Sequence, residues 1–168
     1  GDMSLKDVKS TISPSMDIQV SSNFERQLFE SLNYNSSDLS KLMKSFKDNN
    51  QYDLSGEIHD NLKLYYRSKG INDSLTSSTI KKYYEEYDYI SDPHTATSLN
   101  ILDELDNNDI NIALACAHPA KFPESINDSI GIYPEQPLKL KEMLNSEEKY
   151  INLSNDIESV KDYIIDNI

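Results

Sequence analysis

The sequence predicts a helix-dominated α/β architecture with two or three short strands. Three observations predict it. Glycine is scarce, at 4 of 168 residues, and tyrosine is abundant at 11, a balance that favours long helices over a turn-rich β-sandwich. Apolar residues recur at spacings of three and four through several segments. One continuous apolar run, "NIALACA" at 111–117, has the character of a strand buried on both faces.

In chain order, "VKSTI" (8–12) alternates with β-branched residues before "SPS" and reads as a short strand. A first helix follows, capped by Ser22 or Asn23, with Phe24, Leu28 and Leu32 on one face. "SSDLSKLMKSFKDNN" restarts a helix through Leu39, Leu42, Met43 and Phe46. A third helix is expected over 56–67 through Ile58, Leu62, Tyr65 and Tyr66, and a fourth carries Ile80, Tyr83, Tyr84 and Tyr87. In "SDPHTATSLNILDEL", Asp92 caps and Pro93 takes the first helical position, with Ala96, Leu99, Leu102 and Leu105 as the apolar stripe. After the strand at 111–117 come a short helix beyond Pro137, a last strand at "KYINL" (149–153) and a final helix opened by an Asn155–Glu158 capping box. So few strands cannot make an independent sheet with both faces covered, so the chain reads as part of something larger.

Size and charge narrow the function. The 168 residues suffice for one compact domain, and no apolar stretch approaches the roughly 20 residues that span a bilayer. A mean hydropathy of -0.64 and the lack of a basic-then-apolar leader predict a soluble, cytoplasmic protein. One cysteine makes no internal disulfide. The net charge of -13, with only Arg26 and Arg67 as arginines, argues against nucleic-acid and membrane partners, because phosphate contacts need clustered cations.

Few residues are candidates for chemistry. Cys116 and His118 would share one face of a strand, which admits a thiolate–imidazole pair, a metal site or a strand end with another task. No glycine-rich elbow flanks the pair, and the three histidines His59, His94 and His118 lack metal-ligand spacing, so neither nucleophile nor metal is favoured. Lys47 in "SFKD" resembles a cofactor lysine only superficially: it lies near the end of a polar helix and is expected to be exposed and charged. The carboxylates of "YYEEYDY" and "LDELDNND" read as solvated helix faces.

Three stretches carry a resemblance. "SPSMDIQVSSNFERQLFESL" (13–32), "YISDPHTATSL" (89–99) and "ACAHPAKFPESI" (115–126) resemble, in that order, the C-terminal part of the threonine synthase family. The likeness covers essentially residues 1–168 as a single C-terminal segment. It implies the C-terminal portion of a fold-type II pyridoxal 5'-phosphate (PLP) enzyme, of the tryptophan-synthase-β type. Such an enzyme converts O-phospho-L-homoserine and water into L-threonine and phosphate. The family's cofactor lysine and its glycine-rich phosphate loop lie upstream of the stretch matching 13–32, so both are expected to be missing here. Lys47 follows the first motif and is in the wrong order to serve. The chain alone is therefore expected to bind no PLP and to have no turnover.

The resemblance also assigns site residues. Family members are similar to "TAHPAKF" where this chain has "CAHPAKF", and a hydroxyl near that position bonds the pyridine nitrogen of PLP. Cys116 is thus the candidate cofactor-binding residue, a thiol in place of a hydroxyl. Asn23 and Arg26, at a helix start with free amide hydrogens, are candidate substrate-binding residues for an anionic group. His118 with Pro119 is expected to set a turn, and Asp92 with His94 to fix a helix entry. Self-association through the strand edge or the surface of the missing N-terminal portion is expected. The other reading is a stand-alone acidic helical interaction module that has lost catalysis and binds a basic partner.

Overall fold

A computed structural model of the chain describes residues 2–54, 56–105 and 109–168. Asp106, Asn107 and Asn108 of the carboxylate stretch at 102–109 lie outside the described residues. The helices are α1 (Phe24–Ser31), α2 (Ser36–Asn49), α3 (Glu57–Tyr65), α4 (Asp73–Tyr87), α5 (Pro93–Leu102), α6 (Pro123–Ile130), α7 (Leu138–Leu144) and α8 (Ile157–Asp166). Single 3-10 turns stand at Pro14–Met16 and Pro119–Lys121. The chain divides into two compact units, Gly1–Pro134 and Glu135–Ile168.

The helices begin and end where local chemistry says they should. Asn35 accepts from the amides of Ser37 and Asp38 to open α2, and Asn72 accepts from Leu75 to open α4. Asn50, Asp88 and Gly131 close α2, α4 and α6 in the left-handed conformation. Two expected caps differ. Asn23 is already helical and its side chain caps nothing, because the chain turns through Ser21 before it. At α8 it is Asp156, not the Asn155–Glu158 box, that accepts from the Ser159 amide.

In the first unit α4 is the hub, with α5 and α6 packed on it. Ile80, Ala96 and Ile126 form the buried centre, and Ile90 and Ile130 pack against it. On a separate contact α1 packs against α2 and α3, with Leu28 fully buried and the Tyr66 hydroxyl donating to Gln27 Oε1 at 2.6 Å. Tyr65 and Tyr66, expected on the buried face of α3, are exposed. In the second unit α8 leaves Ile157, Val160, Ile164 and Ile165 exposed.

The expected strands are not formed. Among the described residues the only β-type pairing is one isolated antiparallel bridge between Asp2 and Asp53. The stretches 8–12, 111–117 and 149–153 are extended or irregular without a ladder. A strand needs a neighbour to take its backbone groups, and the described residues supply none. The run at 111–117 shows the consequence: Ile110, Ile112 and Leu114, one face of an extended chain, are 93%, 77% and 74% exposed.

Candidate functional site

Seven consecutive residues, Ser91 to Thr97, are buried, at the junction of α5 with two loops. Asp92 is the organising group. Its carboxylate caps α5, with Oδ1 accepting from the His94 amide at 2.9 Å and more weakly from the Thr95 amide at 3.4 Å. Oδ1 also takes the His94 ring Nδ1 at 3.0 Å. Oδ2 accepts the Thr95 hydroxyl and, from another loop, the Ala117 amide at 3.2 Å. The Thr95 hydroxyl oxygen in turn accepts from the Cys116 amide at 2.9 Å.

His94 extends the hub toward the N-terminal segment. The Ser15 amide donates to His94 Nε2 at 3.1 Å, so that nitrogen carries no hydrogen and the ring proton sits on Nδ1, where it donates to Asp92. Phe122 packs against the ring in a tilted contact, with centroids 4.8 Å apart and planes at 55°. Ser13, beside this contact, is buried. Burial raises the Asp92 pKa, but the Thr95 hydroxyl, the His94 amide and ring, and the Ala117 amide together outweigh it and hold the carboxyl below its ordinary range. A buried carboxylate with this many donors stays ionised and acts as a fixed anchor.

The three sequence stretches that carry the family resemblance therefore meet on the Asp92–His94–Thr95 cluster: the Ser15 amide on His94, the Cys116 amide on Thr95 and the Ala117 amide on Asp92 itself. Cys116 is exposed, with its amide tied down and its thiol donating weakly to the Leu114 carbonyl at 3.6 Å. No hydrogen bond joins it to His118. That imidazole instead accepts the Ala120 amide at 3.1 Å through Nδ1, which caps the 3-10 turn at Pro119. Among the described residues no three metal-ligating side chains cluster.

Asn23 and Arg26 are both exposed on α1, and no hydrogen bond connects either to the Cys116 segment. Lys47 is exposed near the end of α2, as its polar surroundings predict. Sequence reasoning missed Thr95 and the Ser15 amide. Thr95 had a legible signal, since it stands three residues after a capping aspartate, where a side chain can reach back to the cap. Ser15 had none, because its partner lies 79 residues away.

The PLP implied by the resemblance can be tested against these groups. An exposed thiol on a fixed main chain suits contact with one edge of a planar ring. Nothing among the described residues encloses such a ring there, and Lys47 is unsheltered. The described residues fit one wall of a cofactor site, and they do not fit a whole one.

Fold and site together define a helical module that gathers two loops at the buried start of α5 and leaves an extended edge open. The family model for "Threonine synthase, C-terminal" matches residues 95–164. Threonine synthase of Pseudomonas aeruginosa is 31% identical over 158 residues, covering 92% of this chain and 34% of the relative. That of Schizosaccharomyces pombe is 37% identical over 142 residues, covering 76% and 28%. The crystal structure of PLP-bound threonine synthase from Brucella melitensis superposes with a TM-score of 0.80 at 30% identity, over 98% of this chain and 36% of that one. The chain belongs to the threonine synthase family and corresponds to its C-terminal part. It spans about a third of the length of these relatives.

Proposed function

We propose that this chain supplies one wall of the active site of a threonine synthase, which converts O-phospho-L-homoserine and water into L-threonine and phosphate. The convergence of the three motif segments on the Asp92–His94–Thr95 cluster carries the reading, because it gives those motifs a common structural task next to an exposed, oriented side chain. Bound PLP supplies the electron sink that such a reaction needs. Cys116 would contact the pyridine nitrogen of bound PLP, where its weak donor would favour an unprotonated ring. Arg26, one turn into α1, receives the substrate phosphate through its guanidinium, with Asn23 beside it. The protein acts in the cytoplasm.

The chain alone is inactive, since the cofactor lysine and phosphate loop come from the remainder of the protein. The extended edge at 111–117 is the surface on which that remainder, or failing it a second copy of the chain, adds. Mass spectrometry after incubation with PLP and borohydride reduction tests this division of labour. The expected product is the unmodified 19.2 kDa chain with scattered, substoichiometric lysine adducts. One stoichiometric adduct on a single lysine would overturn it. In the intact, PLP-loaded protein, Cys116→Ala should shift the cofactor absorption band, and an unchanged band would remove Cys116 from the ring.

A further inference from the structure

The Cys116 side chain is exposed, so its own packing does not fix it. Its main chain is fixed instead, and by unusual means. Along 111–117 the amides of Ala113, Leu114 and Ala115 find no partner among the described residues, and then two successive amides are captured. Cys116 N–H goes to Thr95 Oγ1 and Ala117 N–H to Asp92 Oδ2. One acceptor is the N-cap of α5 and the other stands in its first turn, and the Thr95 hydroxyl donates its own proton to Asp92, which leaves its oxygen lone pairs free to accept from Cys116. A helix cap needs only Oδ1. The second carboxylate oxygen and the threonine hydroxyl serve the neighbouring loop.

We propose that Asp92 and Thr95 are positioning residues that fix the main chain at Cys116 and Ala117, and so set where the Cys116 thiol stands. Its consequence for the cofactor rests on the reading of Cys116 given above; the main-chain claim does not. A one-ångström displacement of a contact group weakens it markedly, so a rigid seat matters more here than at an ordinary surface residue.

Residue-resolved amide hydrogen exchange on the full chain tests the proposal. In the unmutated chain the Cys116 and Ala117 amides should exchange at least about tenfold more slowly than those of Ala113 and Ala115, as one retained hydrogen bond requires. Equal rates across the four would overturn the proposal with no variant needed. Thr95→Val should speed Cys116 by about tenfold while the Ile80 and Ile126 amides keep their rates. Thr95→Ser, which retains the oxygen, should restore the slow rate. A fast Cys116 amide in Thr95→Ser, or a slow one in a folded Thr95→Val, would also overturn it. No cofactor enters this readout, so failure of the ring contact would appear only in the Cys116→Ala absorption band and would leave the exchange result standing.

Discussion

Replacing Asp92 with alanine removes the acceptor of five donors, four of them belonging to buried residues' side chains or helix-start amides. Losing the α5 cap costs about 1 kcal/mol. The His94 ring N–H, on a residue only 4% exposed, is left without an acceptor, which costs about 1–3 kcal/mol more. The Thr95 hydroxyl can turn to another acceptor and the Ala117 amide is only partly buried, so they add little. The sum is about 3 kcal/mol, or a fall in Tm of roughly 6–12 °C for a chain of this size. Urea unfolding followed by far-UV circular dichroism measures it from the midpoint at constant slope. Asp92→Asn, which keeps one carbonyl oxygen for the cap, should lose clearly less. A loss below about 1 kcal/mol for Asp92→Ala would refute the reasoning, as would equal losses for the two variants.

Three further outcomes are expected. The Asp92 pKa is lowered in the fold, so the unfolded chain binds the extra proton; its stabilising contribution is complete above the ordinary value of 3.8 and is lost as pH falls through the lower folded value. Unfolding midpoints between pH 3 and 5 should show that slope in the unmutated chain, and Asp92→Asn should flatten it. Ile80→Ala, at the fully buried centre of α4, should cost about 2–5 kcal/mol in urea unfolding, and less than 1 would mean that α5 and α6 do not depend on it. The unmutated chain should associate as concentration rises in sedimentation velocity, and Ile112→Lys with Leu114→Lys should suppress this; an unmutated chain that stays monomeric refutes the open-edge reading.

Helices were legible in this sequence because their signals are local. Pro93 behind Asp92 and the three-four spacing through Leu39, Leu42, Met43 and Phe46 predict α5 and α2, and both form. Strands were not legible, because apolar alternation reports what a segment wants and says nothing of whether a partner exists. Ile110, Ile112 and Leu114 carry the pattern of a buried strand and lie in the open. At the site, Asp92 and His94 were readable as a helix entry, but their second task was not. A carboxylate has two oxygens, and sequence spacing assigns only the one used within its own helix. The cofactor role of Cys116 came from resemblance alone, since nothing near it in sequence marks an amide that Thr95 will hold.

The hub also imposes an order on folding. Asp92 meets His94 and Thr95 across two or three residues, Cys116 and Ala117 are captured across 21 and 25, and Ser15 closes across 79. Closing the longest loop costs about 1 kcal/mol more chain entropy than the loop of 25, and the segment around Ser15 is held in return by its bond to His94 and by the Ile12 amide on Asp73. Loop entropy therefore favours completing the anchor on the Cys116 side first, with the segment around Ser15 docking last.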